Sequence, residues 1–190
     1  MKKKVILLLG RSGSGKGTQA DLLEENFDFD FHVVTGDFFR EEAKEDTYIG
    51  KKVKHILEEG ELAPPWISSF FWERFLIENI KTGKENIIFD GVARRVEEAY
   101  HLDDVLEYFN MNLIPVLIKV TQEEAKRRLL GRGRADDNHE DIKERMDWFE
   151  TEVSKALNYY RGNDRLIEVD GMGSIEEAHN NVIKTLNLNE

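Results

Sequence analysis

The stretch "VILLLGRSGSGKGTQADLL", Val5 to Leu23, constrains the chain more than any other. Five apolar residues in a row suit a strand buried on both faces. Gly10-x-x-x-x-Gly15-Lys16 follows at once, and a helical pattern opens behind it. Glycines let such a loop curl until several backbone N–H groups converge on one anion. The N-terminus of the next helix adds positive potential, and Lys16 adds a mobile charge. An ordinary Gly-rich connector needs neither this spacing nor a strand before and a helix behind. Gly13, Ser14, Gly15, Lys16, Gly17 and Thr18 are therefore expected to hold the phosphates of a nucleoside triphosphate. Gly17 stands where the motif usually carries the Ser or Thr that joins Mg²⁺. Thr18, one residue on, is the hydroxyl left to assist.

The rest of the chain alternates short apolar runs with longer helical patterns. Strands are expected at Val5–Leu9, His32–Thr35, Asn86–Asp90, Leu113–Val120 and Arg165–Val169. Helices are expected near Lys16–Asn26, Asp37–Lys44, Ile49–Glu59, Pro65–Lys81, Val96–Phe109, Gln122–Leu130 and Glu140–Tyr160. A last helix follows Ser174, where Ser174-x-x-Glu177 makes a capping box. The pattern predicts an α/β fold with a parallel sheet covered on both faces, in a single domain over residues 1–190.

Composition narrows the function. The chain carries 27 Lys plus Arg against 38 Asp plus Glu, a formal net charge of -11. That argues against a nucleic-acid binder working by bulk charge. No cysteine is present, so disulfides and thiolate metal sites are excluded. The five histidines (32, 55, 101, 139, 179) show no metal-ligand spacing. The lysines before Val5 resemble a secretory leader, but the apolar run is short and lacks a small-residue cleavage site. No stretch reaches the ~18 apolar residues of a membrane span. The expected place is the cytoplasm, with no membrane partner.

Three further blocks carry chemistry. "VVTGDFFR" gives Thr35, Gly36, Asp37 and Arg40, with Asp37 able to cap a helix. "IIFDGVARRVEEAY" is a buried strand ending in Asp90, the position of a metal-supporting carboxylate in phosphate-loop proteins. "KRRLLGRGRADDNHEDIKERMDWFE" holds five of the chain's twelve arginines, from Arg127 to Arg145. Planar guanidiniums that stay charged suit bidentate phosphate binding.

With "GSGKGTQ", these blocks resemble the nucleoside monophosphate kinases, and the adenylate kinase family in particular. The resemblance runs from Val5 to the final helix, with the blocks in family order. It implies a P-loop NTPase-like three-layer fold with a five-stranded parallel sheet. It also implies a small excursion over 35–66 that binds a nucleoside monophosphate, and a short lid loop over 131–138. On that resemblance Lys16, Arg94, Arg132, Arg134, Arg145 and Asp90 serve catalysis. ATP lies against the phosphate loop, Arg128, Arg132 and Gly173. The monophosphate lies against Thr35, Arg40, Glu61, Leu62, Ala63, Gly91, Arg94 and Glu98. Asp136 and Asp137 hold the lid arginines. Arg127 reads as a solvated charge. Mg²⁺ is implied through phosphates and water, with Asp90 acting through that water and no direct protein ligand.

The family pattern Asp-Gly-Phe-Pro-Arg-Thr, with a Gln four residues after the Arg, is met only in part. Asp90, Gly91 and Arg94 match; Val92, Ala93, Arg95 and Glu98 depart. The family's Pro is associated with a cis peptide, which costs ~3 kcal/mol before a non-proline residue. A trans or strained turn is expected here, with Arg94 shifted and Arg95 able to share its role. A Gln offers adenine one acceptor and one donor, whereas an ionised Glu offers acceptors only. Guanine, with two adjacent donors, suits a carboxylate; Thr35 favours adenine by resemblance; and Glu98 as an exposed helix charge is the third reading.

The resemblance thus implies transfer of the ATP γ-phosphoryl to AMP, giving two ADP, in a monomer whose partners are small nucleotides. GMP, dGMP or a pyrimidine monophosphate stays open as acceptor. So does a nucleotide sensor that makes little product.

Overall fold

The computed structural model describes residues 4–59, 61–132 and 139–188. Five strands form one parallel sheet: β1 (Val5–Leu9), β2 (Phe31–Val34), β3 (Ile87–Asp90), β4 (Leu113–Lys119) and β5 (Ile167–Asp170), in the order β2-β3-β1-β4-β5. The three-layer architecture expected from the sequence is present. Strand β1 is central and buried along its whole length. Its period of two splits it between two cores. Val5, Leu7 and Leu9 face one cluster with Trp72, Leu102 and Tyr160, while Ile6 and Leu8 face another with Leu23, Val182 and Leu186.

The helices follow the expected pattern with shifted ends. They are α1 (Lys16–Asn26), α2 (Thr35–Glu42), α3 (Tyr48–Glu58), α4 (Pro65–Asn79) and α5 (Val96–Tyr108), then α6 (Gln122–Arg132), α7 (His139–Trp148), α8 (Ser154–Gly162) and α9 (Ile175–Leu186). Helix α2 starts at Thr35, two residues earlier than expected. Val34 is its N-cap with no side-chain bond, and Asp37 pairs with Arg40 instead of capping. The long helix expected over 140–160 is broken into α7 and α8 by a π-helical turn at Phe149–Val153. Such a turn inserts a residue into the helical ladder and often marks a functional site. The Ser174–Glu177 capping box forms with both bonds made, at 2.7 and 3.1 Å.

Two smaller clusters support the cleft. Phe39, Val53 and Ile67 join α2, α3 and α4. Ala125, Leu129, Ile142 and Met146 join α6 to α7. Helix α5 is pinned to α8 and to the segment before β5 by Asp103, which accepts from Tyr159 at 2.7 Å and from both Arg165 amino groups at 2.7 and 2.9 Å. Burial and this bond push the Tyr159 hydroxyl up to about 12. No helix among the described residues is long and apolar enough to cross a membrane.

Candidate active site

Register places the chemistry. Leu8 on β1 pairs with Asp90 on β3, so the loop after β1 and the turn after β3 emerge side by side at the C-terminal end of the sheet. In open parallel sheets this is where ligands bind. A cleft of about 940 Å³ opens there, near the top of the ~300–1,000 Å³ usual for ligand sites.

The loop Gly10–Gly15 is held by close backbone packing. Gly13 has φ +83, and a Cβ there would press on the Ala125 carbonyl and on Leu129 Cγ at 2.9 Å. Glycine is thus required by conformation and by space. Lys16 Nζ donates to the carbonyls of Gly10 and Arg11 at 2.9 and 3.0 Å. Enclosure in the loop lowers its amine to about 8, Asp90 opposes that shift, and Arg94 and Arg132 add to it. Lys16, Asp90, Arg94 and Arg132 therefore share one electrostatic neighbourhood. Asp90 Oδ2 lies 3.4 Å from where a Cβ on Gly17 would stand. The residue that lacks the usual hydroxyl thus leaves room against the carboxylate. Thr18 is exposed on the cleft wall.

Arg128 is the hub on this side. Its guanidinium donates to Glu124 at 2.6 Å and to the carbonyls of Gly171 at 3.0 Å, and of Ser14 and Gly173 at 3.4 Å. Glu124 is held near 2 by hydrogen bonds from Arg127 and then Arg128. Arg127 is otherwise exposed, as expected. Arg132 and Arg145 line the same cleft from α6 and α7. Arg134, Asp136 and Asp137 lie outside the described residues.

Across the cleft stand α2, α4 and α5 with the turn after β3. Arg40 folds over the first turn of α2, where it pairs with Asp37 and approaches Gly36. Thr35 is buried, lines the cleft, and its Oγ1 has no hydrogen-bond partner. Glu61, Leu62 and Ala63 line the opposite edge. The turn after β3 is trans throughout, one of the two outcomes expected, and Ala93 takes φ 54. Arg94 stays in the cleft beside Gly91.

Two neighbours of Arg94 also line the cleft. Arg95 donates through Nη1 to the Ala63 carbonyl at 3.3 Å, which ties the 61–63 edge to the start of α5. Glu98 is not a solvated charge. It is 5% exposed, and its Oε2 accepts the Arg95 backbone N–H at 2.9 Å, closing a helix cap. Burial raises its carboxyl above the usual range. Bonds from the Arg95 backbone and Ser68, with the Arg94 charge, oppose that shift.

The sequence reading missed Ser68, Arg95's backbone role and Arg11. Arg11 Nη2 reaches Glu150 at 2.5 Å, and its guanidinium stacks 4.2 Å over Phe149, clasping the loop to the π-helical turn. For Ser68 a signal existed: two serines interrupt the apolar run between Ile67 and Phe70.

Fold and site together define a phosphate-loop phosphotransferase. One lysine and several guanidiniums converge there, and among the described residues no cluster of His, Cys, Asp or Glu is fit to hold a metal alone. A family model described as adenylate kinase matches residues 8–165. An adenylate kinase of Leptospira biflexa is 33% identical over 189 residues, covering 96% of this chain and 100% of that protein. One of Parabacteroides distasonis is 34% identical over 187 residues, 96% of this chain and 97% of that protein. One of Mycobacterium sp. (strain MCS) is 36% identical over 182 residues, 95% and 98%. The chain belongs to the adenylate kinase family.

Proposed function

We propose that the protein transfers the γ-phosphoryl group of ATP to AMP, reversibly, giving two ADP. It is a nucleoside monophosphate kinase of nucleotide biosynthesis, and we take it to act in the cytoplasm as a single chain. The observation that carries the reading is one cleft of about 940 Å³ that Lys16, Asp90, Arg40, Arg94, Arg132 and Arg145 all line.

The donor lies along the phosphate loop, with Gly13 to Thr18 around its phosphates and Arg128 and Gly173 near its base. The acceptor lies against Thr35, Arg40, Glu61 to Ala63, Gly91, Arg94 and Glu98. Arg134 belongs to this proposal on the sequence resemblance alone. An oxygen of the AMP phosphate forms a bond to the γ-phosphorus as the bridging oxygen of ATP leaves with ADP. No side chain becomes covalently attached, so the residues position the phosphates and neutralise charge. Lys16 and the arginines share that charge; one arginine in such a role is worth on the order of 10³–10⁵ in rate. On the sequence resemblance alone, segments 35–66 and 131–138, of which 60 and 133–138 lie outside the described residues, are proposed to close over the substrates and exclude water.

Mg²⁺ fits this donor set in a limited way. A single carboxylate, Asp90, with its Oδ2 3.4 Å from where a Gly17 Cβ would stand, suits an ion held mainly by phosphates and water, as Mg²⁺ is in such sites. When bound, the ion would supply neutralisation of the phosphate charge. Asp90 would orient its water.

The test is a panel of monophosphates (AMP, GMP, dGMP, CMP, UMP) with ATP, read as ADP formed. AMP should yield two ADP for each ATP consumed. No response to AMP, with turnover of another acceptor, would overturn the assignment.

A further inference from the structure

Arg11 is the first side chain of the phosphate loop, and its two ends serve two different elements. Its carbonyl closes the loop from inside, accepting the Ser14 N–H and Lys16 Nζ, each at 3.0 Å. Its side chain leaves the loop altogether. The guanidinium lies 4.2 Å over the Phe149 ring and reaches Glu150 at 2.5 Å, both residues of the π-helical turn. That turn directly continues α7, and Arg145 stands about one helical turn before Phe149. Turns of this kind are rare and sit mostly at functional sites; this one is braced from the loop.

The clasp meets the reacting groups from behind. A small cavity of about 40 Å³ opens between the loop, the turn after β3 and the π-helical turn, and Lys16, Arg94, Arg145 and Phe149 all line it. Ser12 and Trp148, the chain neighbours of Arg11 and Phe149, line the main cleft, whereas Arg11 is not among its lining residues. The fold gains little from an arginine here. Glu150 is 56% exposed, and ion pairs so open to water contribute little. Arg11 Nη1 is buried without a hydrogen-bond partner, which costs stability. What the arginine does supply is placement. A planar group stacked on one side chain and paired with the next holds a fixed direction.

We infer that Arg11 is a positioning residue for phosphoryl transfer, the inference resting on the transfer reaction proposed above. It holds α7, and with it Arg145, at a set distance from Lys16 and the phosphate loop. Lys16 is tied to the main chain of Arg11, and Arg145 is tied to its side chain through the π-helical turn. One residue thus spaces two of the cations that serve the transferring group. Arg11 acts through Arg145 and does not touch the substrates. Where no covalent intermediate forms, catalysis depends on how the charges are placed. Loosening the clasp is therefore felt in kcat rather than in binding.

The experiment measures kcat, the ATP and AMP KM values and Tm for wild type, Arg11→Ala, Glu150→Gln and Arg145→Ala, and for Arg145→Ala combined with each of the other two. Arg11→Ala should lower kcat about 10–100-fold, up to what a misplacement of about 1 Å can cost. Both KM values should stay within about 2-fold, as for an interaction that matters only in the transition state. Glu150→Gln loosens the clasp at an exposed position and should lower kcat about 2–5-fold, the worth of one exposed ion pair. In the Arg145→Ala background, removing Arg11 should change kcat by less than about 2-fold, because residues that act as a unit are not additive. An equal loss with and without Arg145 would overturn the inference, since a general loosening of the loop multiplies through both backgrounds. So would a kcat indifferent to Arg11→Ala. If Arg11→Ala does not fold, Glu150→Gln in the same two backgrounds decides the question. Wild type that uses another monophosphate in place of AMP would overturn the acceptor assignment alone, and the same comparison made with that acceptor decides the inference. Failure to use any monophosphate would overturn the proposed activity and this inference with it.

Discussion

On the donor side of the cleft, the contacts that shape the site run from side chain to backbone. Lys16 bonds the carbonyls of Gly10 and Arg11, and Arg128 those of Ser14, Gly171 and Gly173. On the acceptor side Arg40 pairs with the Asp37 side chain, Arg95 and Glu98 reach backbone groups of Ala63 and Arg95, and the Thr35 hydroxyl is left unpartnered. Main-chain atoms are the same whatever the residue, so the donor side recognises what all triphosphates share. Discrimination between bases has to come from side chains, and those stand opposite. The contrast sets main-chain carbonyls held by Lys16 and Arg128 on one wall against side chains free to meet a base on the other.

The sharpest way to break it is Lys16→Met. Rate should fall on the order of 10²–10³, as for loss of one preorganised charge, with ATP and AMP turnover affected together. The fold should survive, because desolvation already disfavours the lysine charge. Circular dichroism and steady-state kinetics check both halves of this prediction, and retained turnover would remove Lys16 from the site. Next, Arg40→Ala should raise the AMP KM by about 10-fold or more, in line with a charged hydrogen bond to phosphate, and leave the ATP KM unchanged. An equal rise in both would erase the division between walls.

A pH profile separates the walls more gently. The Lys16 amine is lowered to about 8, and its charged form binds phosphate. Therefore kcat/KM for ATP, which reports the free enzyme, should decline as pH rises through about 8, and Lys16→Arg should flatten that decline. The smallest effect concerns stability. Burial raises the folded-state value of Glu98, so the group stabilises the fold below its unfolded value of about 4.3, and that contribution is lost as pH rises through the folded value. At neutral pH the buried carboxylate is a cost. Glu98→Gln keeps an oxygen for the Arg95 N–H and should raise Tm at pH 7, with the difference shrinking toward pH 4. A Tm lowered at pH 7 would contradict this.

The donor wall was legible in the sequence because its parts are local. A strand, a loop of fixed spacing and a helix follow one another within Val5 to Asn26, and strand periodicity gave the sheet. The acceptor wall was legible only as a list. Arg40, Arg94 and Glu98 were named, but Glu98's burial depends on α4 packing against α5, which no local spacing encodes. Ser68 lies 30 positions from Glu98 in the chain, so their meeting is a tertiary fact. The π-helical turn at Phe149–Val153 was read as plain helix, since its residues keep an ordinary helical composition. What braces it is Arg11, again from a distant segment.

The turn between β3 and α5 has one more consequence. From the last residue of β3, through the turn, to the first turn of α5, Asp90, Arg94 and Glu98 fall four residues apart, and the proposed roles of the three are metal, phosphate and base. The connection is therefore a ruler laid along the acceptor, with each mark a fixed chain length from the next. Exchanging a residue changes what one mark reads. Adding or removing a residue would put every later mark out of place, so evolution and design can alter this enzyme's taste in acceptors through identity but not through length.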